Sequence, residues 1–391
     1  MTSIVFYFQV HQPYRLQRRN GGGTPTPGQL FDDKENSRIL RRVAERCYLP
    51  MNAQLMQTID ETDGEFRCAF SISGTALDQM EAWSPPALAS FVELAETGNV
   101  EFLAETSHHS LACVGHQAEF VEQVREHTDR IERLFGSRPT TFRNTELVIE
   151  EPLARIVEQL GFDALLGEGI EHLLGDASPH FPYRPRGCKS LQLLLRDYPF
   201  SDDIAFRFSN REWEKFPLFA DTFASWLHDV PNSHAFIGLF MDYETFGEHQ
   251  GSETGLFEFM QHLPAFSLKD AKTRFATPSE IAANHPAVDT LALPQLVSWA
   301  DAERDVSAWL GNPMQLAAHH AVYEVAEKVR SSDDEELIKA WKRLTTSDHF
   351  YYMCTKNRSD GDVHEYFSPY YSPHDAFVLF MDALAALTER L

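Results

Sequence analysis

The sequence predicts an α/β fold: a parallel barrel followed by helices. Short apolar runs rich in β-branched and aromatic residues alternate with longer stretches of helical period over roughly 280 residues, the pattern of a parallel sheet covered by helices. Seven such runs suit closure into a barrel better than an open sheet. No G-x-G-x-x-G follows any of them, which argues against a dinucleotide-binding sheet.

The runs at 3–10, 66–72, 100–104, 140–144, 164–166, 191–195 and 235–241 read as strands. Residues 87–97 and 119–135 read as helices. In the second, Phe120, Val121, Val124, Ile131, Leu134 and Phe135 share one face, and Gly136 and Pro139 end it. Two irregular segments, 12–36 with NGGGTPTPGQ and 176–187 with ASPHFPYRPRG, adjoin strands and are expected to be loops over one end of the barrel. From about 306 the pattern turns helical, at 306–330, 335–345 and 374–391. The expected division is a catalytic barrel over 1–285 and a helical domain over 286–391 that completes the cleft.

The 391 residues carry 34 Lys+Arg against 58 Asp+Glu, a net charge of −24, so DNA, RNA and anionic membranes are disfavoured partners and a neutral substrate is expected. Five cysteines without a C-x-x-C pair argue against a disulfide framework or structural zinc and suit a reducing compartment. The opening MTSIVFYFQVHQP lacks a basic region and a cleavage site and reads as a strand; no run approaches a membrane span. A cytoplasmic location follows as an expectation. No EF-hand-type calcium loop is present, and neither metal nor cofactor is implied.

Side chains at the C-terminal ends of parallel barrel strands face one mouth. The first strand ends in His11-Gln12-Pro13, and the third region supplies Glu101, Glu105, His108 and His109. The fourth ends in Arg143, Asn144 and Glu146, and the last runs directly into Asp242 and Glu244. Carboxylates gathered with His, Gln and Asn on one rim are costly to desolvate and are kept chiefly where chemistry uses them. Two carboxylates from different strands are what glycosidic cleavage needs, and Trp299 or Trp309 could stack on sugar rings.

At these residues the sequence resembles glycoside hydrolase family 57, the smaller α-amylase family, and within it the single-module α-amylase-like members. HQPYRL (11–16), GNVEFLAETSHHSL (98–111), FRNTEL (142–147), FMDYETFGEHQ (240–250) and WADAERDVSAWLGNPMQ (299–315) are similar to its five conserved regions, in order. The 346–377 stretch is similar to the helical region of such members. Where an aromatic residue is expected before the histidine of region two, this chain has His108. The resemblance implies an incomplete (β/α)7 barrel with a helical domain, acting on α-1,4-glucans with retention. It implies Glu146 as nucleophile and Asp242 as general acid/base. His11 and Glu101 would line the central sugar subsite, and Asp305 and Trp309 the region-five side. Gln12, His109, Glu244 and Trp299 complete the expected substrate-binding set.

Three alternatives stay open at this stage. A 4-α-glucanotransferase would use the same site with a sugar hydroxyl in place of water. A metal-dependent polysaccharide deacetylase would use His11, His108 and His109 as ligands. Against it, adjacent histidines on a strand point to opposite faces. A glycan-binding protein without turnover would have no use for both Glu146 and Asp242.

Overall fold

The computed structural model describes residues 1–18, 25–356, 363–364 and 366–391; the middle of the 12–36 loop and part of the 346–377 stretch lie outside them. In chain order the strands are β1 (Thr2–Val10), β2 (Cys68–Ile72), β3 (Val100–Phe102), β4 (Thr141–Arg143), β5 (Ala164–Glu168), β6 (Arg184–Pro185), β7 (Gln192–Arg196), β8 (Phe236–Asp242), β9 (Thr273–Phe275) and β10 (Thr290–Leu291). All seven predicted strands form. The unpredicted ones, β6, β9 and β10, have two or three residues each and lack a flanking apolar run in the sequence.

One parallel sheet runs β3-β2-β1-β8, with β9 beside the N-terminal part of β1; a second runs β4-β5-β7. Two seams join them. At the first, Ala104 N–H donates to Thr141 O (3.0 Å) and Ala104 O accepts from Arg143 N–H (2.8 Å). At the second, Asp197 N–H donates to Gly238 O (2.8 Å), Ala235 and Phe236 N–H donate to His180 O (3.0 and 3.2 Å), and side chains add to these. Phe240 N–H donates to Ser201 Oγ (3.1 Å), and Arg196 Nε donates to Phe240 O (2.7 Å). The result is an incomplete (β/α)7 barrel, seven parallel strands around one interior.

Strand alternation sorts the core into three parts. Inward-facing Val5, Tyr7, Ala69, Leu103, Leu166, Leu194 and Phe240 fill the barrel, with Ile281 from the helix Pro278–Asn284 stopping its lower end. Outward-facing Ile4, Phe6, Phe8, Phe70 and Leu239 pack under the helices of the first sheet. Outward-facing Phe142, Leu165 and Leu193 pack in one cluster with Trp309, Trp341, Phe350 and Phe380 of the C-terminal helices. The predicted helix over 306–330 is broken into Ser307–Leu310, Pro313–Glu324 and Ala326–Arg330, the first break made by Gly311 and the capping Asn312. No helix among the described residues is long and apolar enough to cross a membrane.

Two residues beyond the apolar layer, the same inward face turns polar on all seven barrel strands: Gln9, Ser71, Glu105, Arg143, Glu168, Arg196 and Asp242. Around the wall from Glu105 to Asp242 the signs alternate. Asp242 is half-buried and the other six are buried. Arg196 is fully engaged, with Glu168 at 3.0 Å, Asp202 at 2.5 Å and the Phe240 carbonyl. Arg196→Met strips Glu168 and Asp202 of their closest cation and opens the second seam. A loss of roughly 3–5 kcal/mol is expected, read as a lower urea unfolding midpoint. An unchanged midpoint would show that the seam holds without it.

Candidate active site

β4 ends at Arg143, and the chain turns sharply through the 3-10 segment Thr145–Leu147. Glu146 (φ +57°) and Leu147 (φ +50°) are left-handed there, as are His109 (+49°), Asp301 (+54°) and Arg304 (+52°) in the loops alongside. Apart from Asp63, no other non-glycine among the described residues has positive φ. Each such residue costs roughly 1–2 kcal/mol. Strain of this kind persists where the surroundings over-determine it, commonly at functional sites.

The strained turn aims the Glu146 carboxylate at donors from three other segments. Trp299 Nε1–H donates to Oε2 (2.8 Å), and His109 Nε2 and Ser347 Oγ lie 3.3 and 3.5 Å from Oε1. The Trp299 loop is fastened from behind. Arg304 donates to the Trp299 carbonyl and lies 3.5 Å from Glu168 and 3.4 Å from Asp202.

His109 Nδ1 is 2.9 Å from Glu105 Oε2, so each ring nitrogen meets a carboxylate and both must donate. Burial alone would lower its pKa, but the bonds and charges of Glu105 and Glu146 push it up to about 9. Burial likewise opposes ionisation of Glu146, and is outweighed by His109, Arg143 and Trp299, which hold this carboxyl below its usual range. Asp242 goes the other way. Burial and the charge of Glu146 push it up to about 6. Glu244 is pushed up to about 8 by burial together with Asp242, against the bonds that its Oε1 accepts from Tyr48 OH (2.5 Å) and His11 N–H (3.2 Å).

His11 lies flat on His109, ring centroids 3.9 Å apart, with Nδ1 2.7 Å from Ser73 Oγ and Nε2 2.8 Å from Asp348 Oδ2. Burial and the charge of His109 lower its pKa, so a neutral ring stacks on a cationic one.

Of the residues expected at the cleft, His11, His109, Glu146, Asp242, Glu244 and Trp299 meet there. Gln12 is buried in its wall, with its Oε1 3.5 Å from Arg15 and its carbonyl accepting from Gln79. Glu101 is a correction. It faces inward like Glu105 but four residues earlier, roughly 13 Å down the strand. There it accepts from Thr141 Oγ1 (2.7 Å) and Ser279 N–H (2.9 Å) at the closed end. Trp309 is a second: at 1% exposure it is core between barrel and helices, out of reach of a sugar. Asp305 accepts from Ser307 N–H (2.7 Å) at the start of a short helix. His108 turns away from His109 and bonds Ser107 Oγ (2.9 Å), and Asn144 donates to Val148 O. Among the described residues no group of three or more His, Cys, Asp or Glu is placed to hold a metal ion.

Sequence reasoning missed Asp348, Ser347 and Tyr48. The first two lie in the stretch similar to the family's helical region, where no role was assigned. Tyr48 sits in a π-turn, Ala44–Tyr48, that joins the helices Asp33–Val43 and Leu49–Glu61 and turns its hydroxyl onto Glu244. No sequence signal marks that turn.

Two carboxyls whose surroundings push their ionisation in opposite directions, Glu146 down and Asp242 up, share one strand-end mouth, an arrangement suited to paired acid and nucleophile chemistry. Residues 5–294 match the profile of Glycosyl hydrolase family 57, and the chain belongs to that family. It is a glycoside hydrolase by that membership. It is 39% identical over 394 residues to a Methanocaldococcus jannaschii protein described as "Putative alpha-amylase", covering 97% of this chain and 83% of that one. Its fold matches that of a branching enzyme of this family from Thermococcus kodakaraensis, with TM-score 0.69 and 13% identity over 99% of this chain and 90% of the other. It also matches a 4-alpha-glucanotransferase from Thermococcus litoralis, with TM-score 0.67 and 16% identity over 89% of this chain. Only 56% of that longer protein is spanned.

Proposed function

We propose that this protein cleaves α-1,4-glucans with retention of configuration, as an α-amylase-like hydrolase. The observation that carries the reading is the placement of Glu146, held by Trp299, His109 and Ser347, and of Asp242 at the C-terminal ends of β4 and β8 in one mouth, and their surroundings push their ionisation in opposite directions. Glu146 attacks the anomeric carbon as the glycosidic C–O bond breaks, and the Asp242 proton passes to the leaving oxygen. Water then attacks the glycosyl ester with Asp242 as base and releases Glu146. Trp299 offers a ring face beside the nucleophile. At the rim, exposed Tyr366 and Phe367 adjoin His249, on the loop that follows Asp242, and supply further apolar surface for a sugar chain. The helical part, 286–391, contributes Trp299, Ser347 and Asp348 to the cleft. Five free cysteines suit a cytoplasmic site of action.

The test is the product profile from one pure maltooligosaccharide, read with the anomeric configuration of the first product. Shorter chains released as the α-anomer are expected, and a strong chelator should leave the rate unchanged. Longer and shorter products together would assign 4-α-glucanotransferase activity instead. Unaltered chain length, or a rate abolished by the chelator, would overturn the reading.

A further inference from the structure

Of the two arginines in the polar layer, Arg196 is tied at all sides and Arg143 is not. Arg143 is 0% exposed, yet among the described residues Nε, Nη1 and Nη2 have no hydrogen-bond partner. Its guanidinium lies 4.9 Å from the ring centroid of Trp299, the residue whose Nε1–H holds Glu146. A buried cation without bonded partners is costly, and a fold retains one where its field is used. Arg143 and Asp242 face inward at the same level of the barrel from β4 and β8, and Glu146 follows Arg143 by three residues, so the Arg143 charge reaches both carboxylates and favours the ionised form of each.

The reaction proposed above gives that placement a purpose, and the inference rests on that reading. In the form that starts the reaction, populated below about pH 6, the negative charge sits on Glu146 and the proton on Asp242. Once the ester forms and the proton has left, Glu146 is neutral and Asp242 is the anion. The pair keeps one negative charge throughout; only its position changes. A hydrogen bond to either partner would favour one of the two states. A cation bonded to neither leaves both states open, and it needs no reorganisation when the charge moves.

We propose that Arg143 is a positioning residue for the catalytic pair, a fixed buried cation that serves whichever of Glu146 and Asp242 carries the charge. The other charged groups facing the pair are tied to partners: the charges of His109 and Arg196 also favour ionised Asp242, but each is held by hydrogen bonds to other carboxylates, and Arg143 itself also faces Glu105 and Tyr7. His109 with Glu105 behind it bonds Glu146, Arg196 belongs to Glu168 and Asp202, Glu244 adjoins Asp242, and the neutral His11 with Asp348 closes the far wall.

Arg143→Met keeps bulk and removes charge; Arg143→Lys keeps charge. The kcat/KM pH bell of R143M should move to higher pH on both limbs, because both carboxyls lose a favourable field. The R143K bell should stay at the wild-type position. A folded R143M with the wild-type bell overturns the proposal. If R143M does not fold, R143K decides: an unmoved bell supports the charge role, a displaced one refutes it. The Trp299 component of the fluorescence, taken as wild type minus W299F, titrates with the adjoining carboxyls and needs no turnover. If the wild type leaves maltooligosaccharides untouched, the functional reading fails, while an upward shift of this titration in R143M still supports the Arg143 field and an unshifted one overturns it.

Discussion

Glu146→Gln is expected to lower kcat on maltooligosaccharides at least about a thousandfold while changing their Kd by less than about tenfold. An amide is isosteric with the carboxylate, so the strained turn and the Trp299 donor stay in place. It cannot form the glycosyl ester. It also removes the anion that keeps His109 cationic and Asp242 protonated, so the loss combines nucleophile and proton inventory. Single-turnover kinetics beside calorimetric binding separate the two effects. Turnover within tenfold of wild type would exclude Glu146 as nucleophile.

Asp242→Asn is expected to lower kcat on natural glucans by roughly 10²–10⁴-fold, the usual worth of a general acid or base. Substrates whose leaving group needs no proton should still form the ester, so a burst of released aglycone is expected before a slow steady state. In the wild type, the useful form of the pair is ionised Glu146 with protonated Asp242. The rate therefore falls as pH rises through about 6, where Asp242 loses its proton, and falls again in acid as Glu146 gains one. In Asp242→Asn the alkaline limb should vanish from the burst rate. Its persistence would assign that limb to another group, such as Glu244, which is pushed up to about 8.

The barrel was legible because its longer wall strands are near-continuous apolar runs, buried between helices outside and side chains inside, at spacings that leave room for a helix between them. The proposed catalytic pair could be nominated from the sequence because Glu146 and Asp242 stand where such runs stop. Depth along a strand was harder to read. Glu101 and Glu105 have the same parity, and the sequence does not say which end of β3 each approaches; only the stopper helix beneath Glu101 settles it. Trp299 and Trp309 flank one charged segment, and tertiary packing buries the second while the first reaches Glu146. Asp348, more than three hundred residues from His11, meets it only through docking of the C-terminal helices.

Asp242 belongs to the sheet built on β1, whereas Glu146 follows a strand of the other sheet. Both seams between those sheets are thin, and one is laced by Ser201 and Arg196 as well as by main chain. Each half could keep its strands and its oily exterior while the two drift slightly apart. Turnover would then fade before any helix or strand was lost, so catalytic competence in this enzyme is a gauge of how tightly its two half-cylinders are clasped.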